Sequence, residues 1–86
     1  MFISEFLEYL LLEKKYSKHT VTAYESDLLS FLKFYKDEYG GEVISKANYA
    51  QIRSWIVLLV EEGVANRTVN RKVSSLKTYY KFLLKT

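Results

Sequence analysis

At 86 residues, with 49% hydrophobic and 16% aromatic content, the chain is sized for one domain with a single modest core, and is too small for an active-site cleft between lobes. It has no cysteine, one histidine and no carboxylate cluster at a useful spacing, so no disulfide, metal site or cofactor is expected. The net charge of +3 conceals a strong asymmetry: residues 1–63 carry seven Lys or Arg against ten Asp or Glu, whereas residues 64–86 carry Arg67, Arg71, Lys72, Lys77, Lys81 and Lys85 against no acid. Positive charge concentrated in one element is the electrostatic pattern of a polyanion binder, although a solubilising helix whose cations favour the negative end of its own dipole would look the same.

The opening "MFISEFLEYLLLEKK" is apolar, but Glu5, Glu8 and Glu13 interrupt it and its basic residues follow instead of leading, so a secretory signal is not expected. The run "WIVLLV" from Trp55 to Val60 falls far short of the roughly 20 residues that cross a bilayer. The expectation is a soluble protein of a reducing compartment, with no membrane partner.

No proline and only three glycines, at 40, 41 and 63, favour long helices. Phe2, Ile3, Phe6, Leu7 and Leu10 recur at helical spacing and predict a first helix over about 2–14, ending at Lys14 or Lys15. Ser17 stands as the N-cap of a second helix over about 18–39, whose stripe of Val21, Tyr24, Leu28, Phe31, Leu32 and Tyr35 stops at Gly40-Gly41. After the connector "GGEVISKAN", Asn48 with Gln51 forms a capping-box pattern for a third helix over about 49–62, stopped by Gly63. Ile52, Trp55, Ile56 and Leu59 give it a buried face, and Val57, Leu58 and Val60 fill the other directions, so it is expected to be the most buried of the four. Asn66 caps a fourth helix over about 67–85, with Val69, Val73, Leu76, Tyr80 and Leu83 as its core stripe.

On the far side of that helix, Arg67, Arg71, Ser74, Ser75 and Thr78 line up, with Lys81 and Lys85 further along. Long cations among small hydroxyls let a helix backbone lie close to a groove. The outer face of the second helix is similar, with His19, Thr22, Ser26 and Ser30 beside Lys18 and Lys33. His19 sits in a first turn with Lys18 and Thr20, where free amides already favour anions.

No catalytic constellation emerges. Ser17, His19 and Asp27 diverge on one helix, and the adjacent Glu61 and Glu62 splay apart. Tyr80, Tyr24 and Tyr35 lie on core stripes, and Tyr79 falls between the core and the basic face. A nucleophilic tyrosine needs cationic and acid/base groups converging on its target, which one helix cannot supply, so this chain is not expected to be an enzyme.

Two segments together resemble a known family. "FLEYLLLEKKYSKHTVTAYESDLLSFLKFY", through Ser17, Thr20, Tyr24, Asp27, Leu28 and Phe31, resembles the first two helices of the N-terminal domain of tyrosine recombinases, or phage-type integrases. "GVANRTVNRKVSSLKTYYKFL", through Gly63, Arg67, Thr68, Val69, Arg71, Leu76, Tyr80 and Phe82, resembles that domain's last helix. The resemblance covers nearly the whole chain and implies a compact, all-α, four-helix SAM-like core-binding domain over residues 1–86 that clamps a recombination half-site. The catalytic arginines, histidine and tyrosine then belong to a separate C-terminal domain, which is absent from these residues. The partners it implies are double-stranded DNA, that catalytic domain and other recombinase subunits assembled on DNA, in the cytoplasm of a bacterium or phage host and on the nucleoid when bound.

Carried over by position, the residues that face DNA are His19, Thr20, Thr22 and Ala23 in the second helix and Arg67, Thr68, Arg71 and Ser75 in the fourth, with Asn70, Ser74 and Thr78 as neighbours. Arg67, Lys72 and Lys18 are expected on phosphates and Arg71 on a base edge, since a guanidinium can bridge the two acceptors of guanine. One departure stands out: Lys15 and Tyr16 occupy a place where many members have a glycine ending the first helix. Two other classes fit the residues alone. A helix-turn-helix regulator would use "GVAN" as its turn, and a protein-interaction module would present Phe34, Tyr79 and Phe82 as exposed contacts.

Overall fold

A computed structural model describes residues 2–85, with the side chain of Phe2 outside the description. Its helices are α1 (Phe2–Leu12), α2 (Lys18–Tyr39), α3 (Tyr49–Glu61) and α4 (Asn66–Lys85), with a short 3-10 turn at Ile44–Lys46. There is no strand among the described residues, and the all-α, four-helix expectation holds.

The helix ends follow local chemistry. Ser17 adopts extended backbone and its hydroxyl accepts from the Thr20 amide at 3.2 Å, capping α2. At the other end Gly40 turns left-handed, with φ 67°, so that the Gly41 amide reaches back to the Tyr35 carbonyl. Asn48 and Gln51 exchange side-chain-to-backbone bonds of 2.9 Å each, the reciprocal cap read from the sequence. Gly63, at φ 81°, ends α3.

The end of α1 differs from expectation. The helix stops at Leu12, because Lys15 takes the left-handed conformation at φ 56° and the Tyr16 amide bonds to the Leu10 carbonyl at 3.0 Å. The left-handed position at a helix end is normally given to glycine, and here a lysine holds it at a steric cost from its Cβ. The missing glycine therefore leaves the turn intact and strained. Tyr16 stacks on Tyr24 with ring centroids 6.0 Å apart, which ties the turn to α2.

The core runs from α1 through α2 to α3 and α4. Phe6 and Leu10 of α1 are fully buried, and the Phe6 ring meets Tyr24, Tyr79 and Phe82 at centroid distances of 5.9, 5.3 and 5.4 Å. Phe31 of α2 meets Trp55 of α3 edge-on at 5.1 Å. Two expectations fail here. The buried residues of α4 are Val69, Ser75, Leu76, Tyr79 and Phe82, while Val73, Tyr80 and Leu83 are only half-buried. The buried arc is thus turned toward the polar side, because α4 packs on α1 and α2 as well as on α3, whereas a helical wheel shows only where one helix is most apolar. α3, in turn, is not the most buried helix. It packs from one side on α2 and α4, burying Trp55 and Leu59 and leaving Val57 and Val60 47% and 55% exposed.

The 3-10 turn is held from α4. Ile44 is buried, and the Tyr80 hydroxyl donates to its carbonyl oxygen at 2.6 Å. Burial, followed by the neighbouring Tyr79 and Tyr35, pushes the Tyr80 phenol up to about 12. Burial, followed by Glu5, also raises Tyr79.

Two measurements test these local arguments. Replacing Lys15 with glycine should stabilise the domain by about 0.5 to 1 kcal/mol in chemical denaturation, since relief of the left-handed strain exceeds the extra chain entropy of glycine. Tyr80→Phe should cost about 1 kcal/mol at neutral pH by removing one hydrogen bond. Because the phenol binds its proton more tightly when folded, its contribution is full below pH 10 and drains as pH rises toward about 12. The stability gap between wild type and Tyr80→Phe should therefore narrow across that window; a constant gap would contradict the assignment.

Candidate nucleic-acid interface

The first half of α2 and the first half of α4 run against each other, and the link between them is Asp27. Its side chain is completely buried on a helix whose neighbouring stripe is apolar. A carboxylate in that position must be compensated. Compensation comes across the interface: Arg71 Nη2 donates to Oδ1 at 2.7 Å and Nε to Oδ2 at 3.2 Å, while the Ser75 hydroxyl donates to Oδ2 at 2.7 Å. Lys72 Nζ approaches Oδ1 at 3.5 Å. Arg71, Lys72 and Ser75 fall at i, i+1 and i+4 on α4, so a single turn of helix delivers all three groups.

Beside this cluster lies a groove of about 380 Å³ between the two helices, lined by His19, Thr20, Ala23, Tyr24 and Asp27 from α2 and by Arg71, Ser74 and Ser75 from α4. Six of the residues anticipated from sequence, His19, Thr20, Ala23, Arg71, Ser74 and Ser75, are thereby brought together. Lys18, Thr22, Arg67 and Asn70 are exposed on the same helices outside the groove lining, and Thr68 is half-buried. Thr20 is already engaged, its hydroxyl 3.0 Å from that of the Ser17 cap, and the Thr78 hydroxyl donates to the Ser74 carbonyl of its own helix at 2.9 Å.

Two expectations are corrected. Ser75 does not face outward: it is 3% exposed and its hydroxyl is committed to Asp27. The Lys72 side chain, expected on phosphates, is only 14% exposed and its ammonium turns toward Asp27. The residue that sequence reasoning missed is Asp27. An acid at i+3 from Tyr24 and i−4 from Phe31, inside an apolar stripe, was a legible demand for a cationic partner on another element.

The phenols of Tyr79 and Tyr80 are both pushed up by burial, opposite to what a tyrosine nucleophile requires. Among the described residues, no group of three His, Cys, Asp or Glu side chains could hold a metal ion, and no helix is long and apolar enough to cross a membrane. Tyr79 and Phe82, the aromatics an interaction module would have exposed, are buried at 2% and 9% exposure, and Phe34 is half-buried.

Residues 3–86 match the family of the phage integrase N-terminal SAM-like domain. The chain is 40% identical over 84 residues to tyrosine recombinase XerD of Rickettsia bellii, covering 96% of this chain and 27% of that protein. It is 36% identical over 84 residues to tyrosine recombinase XerC of Bacillus licheniformis, covering 98% and 27%. With tyrosine recombinase XerC of Listeria monocytogenes it shares 40% identity over 81 residues, covering 94% and 27%. The chain spans about a quarter of the length of these curated relatives. No solved structure matches it. The match across both α2 and α4, the two helices joined through Asp27, means that this chain belongs to the phage integrase N-terminal SAM-like domain family.

Proposed function

We propose that this domain binds double-stranded DNA for a site-specific tyrosine recombinase, gripping a half-site through the first halves of α2 and α4. The observation that carries the reading is Arg71: a guanidinium anchored on one edge by a buried carboxylate, yet with a side chain 53% exposed beside an open groove. Such a group is fixed in place before any ligand arrives. Around it stand Lys18, His19, Thr22, Arg67 and Asn70, all exposed, with Ala23 and Thr68 half-buried between them. The small residues permit close approach of a helix to a groove floor, and the cations meet the phosphates on either side.

The division of labour follows from side-chain chemistry. Lys18 and Arg67, at the N-terminal ends of α2 and α4, sit where helix amides add to the attraction for phosphate. Arg71 reads a base edge, His19, Thr20, Thr22, Asn70 and Ser74 supply shorter polar contacts, and Thr78 borders the site. Strand cleavage and joining belong to a separate catalytic domain of the parent recombinase, and the partners of this domain are that domain and further recombinase subunits on the same DNA. The kinship with tyrosine recombinases XerC and XerD supports this placement. A cytoplasmic, nucleoid-associated location accompanies it.

Binding should be steeply salt-dependent, because each phosphate neutralised releases counterions. In fluorescence-anisotropy titrations on duplex DNA, Arg67→Ala should weaken binding across all sequences and reduce the slope of log K against log salt by about 1. Arg71→Ala should instead cost roughly 1 to 3 kcal/mol on a preferred duplex and relax selectivity at one position. Salt-insensitive binding by the wild-type chain would exclude the proposal.

A further inference from the structure

We infer that Asp27 and Ser75 are positioning residues that turn Arg71 into a rigid, end-on reader of guanine, an inference that rests on the DNA-binding reading of this face. The chemistry of the guanidinium sets the geometry. Its Nε and one Nη2 hydrogen are taken by the two oxygens of Asp27. What remains is the end edge, where one hydrogen of Nη2 and one of Nη1 are two parallel donors that match the O6 and N7 acceptors of guanine in the major groove. Adenine, which presents a donor beside its N7, cannot satisfy both.

A purely structural account of the cluster does not explain the position of Arg71. Lys72, with its side chain 14% exposed, and Ser75, 3% exposed, already bring a cation and a hydroxyl to the buried carboxylate. Arg71 differs from both in keeping 53% of its side chain exposed while spending two donors on Asp27. Ser75 contributes by fixing Oδ2, the oxygen that Arg71 Nε also uses, so the carboxylate cannot rotate away. An arginine held on one edge has already lost the rotamer freedom that a free surface arginine would lose on binding, so base contact carries a smaller entropic cost.

The test uses the 86-residue chain and a library of duplexes with a randomised central segment, read by selection and sequencing, together with titrations of random duplex at two salt concentrations. Wild type should enrich guanine about tenfold or more at one position. Asp27→Asn, which keeps the shape but gives Arg71 an amide in place of a carboxylate, should lower that preference to about twofold or less, while the salt slope set by Lys18 and Arg67 stays unchanged. Ser75→Ala keeps the ion pair and should lower the preference partway, and it serves alone if Asp27→Asn does not fold. In the free protein, the Arg71 Nε–H resonance should be protected from solvent exchange in wild type and lose that protection in Asp27→Asn. Retention of full guanine preference in folded Asp27→Asn or in Ser75→Ala, or a wild type that binds salt-sensitively without guanine preference, would overturn the inference and leave DNA binding standing. Absence of salt-sensitive binding in wild type would overturn the DNA reading itself.

Discussion

The structure depends on one buried carboxylate. Asp27 is enclosed completely, and a charged group in that position is tolerated only where its partners are delivered with good geometry. Those partners lie 44 to 48 residues away on α4, so the requirement acts between elements and not within one. Sliding α4 by a turn against α2 would keep most of the apolar contact but separate Asp27 from Arg71, Lys72 and Ser75 together. Apolar packing alone is permissive about register; a buried ion pair with a hydroxyl is not. The groove between α2 and α4 has its width and lining because this bond network allows one register.

The same constraint explains what could be read from the sequence and what could not. Helix ends were legible at Ser17, Asn48, Gly40 and Gly63, because each is decided by hydrogen bonds spanning no more than six residues. The apolar faces of α1 and α2 were legible too: Phe6 and Leu10, and Leu28, Phe31 and Tyr35, are buried on the stripes that the spacing marks. α4 misled because it is enclosed by three helices: Tyr79 and Phe82 are drawn into the ring cluster around Phe6, which lies on the side that the wheel assigned to solvent. α3 misled in the opposite sense, as an apolar helix with too few neighbours to cover it. Ser75 and Lys72 looked like surface residues because nothing near them in sequence discloses the charge at Asp27.

Lys15 shows how local strain is carried by distant support. A lysine at φ 56° has no intrinsic reason to remain there. The turn persists because Leu10, whose carbonyl receives the Tyr16 amide, is fully buried, and because Tyr16 rests on Tyr24, itself packed on Phe6. The core and the groove wall thus share one aromatic, Tyr24, and the loop before α2 inherits its position from both. The placement of Lys18 and His19 at the start of α2 follows from that anchoring together with the Ser17 cap.

Charge distribution then limits which part of the surface a polyanion can approach. Glu5, Glu8 and Glu13 line a shallow groove with Tyr9, Leu12 and Phe82 between α1 and the end of α4. Lys85, whose ammonium lies 6.0 Å from the centre of the Tyr9 ring, sits beside that acidic rim. Lys85 therefore shares its surroundings with carboxylates, and its field is partly cancelled within a Debye length of about 8 to 10 Å. Arg67 lies at the other end of α4, a 20-residue helix about 30 Å long, and Arg71 one turn further in. Of the basic residues that make α4 conspicuous in the sequence, Arg67 lies at the end of the helix away from that acidic rim, while Arg71 is paired with Asp27 and still keeps 53% of its side chain exposed. On the proposed reading, the acidic edge along α1 confines DNA to the end of the domain where Asp27 has already set Arg71 in place.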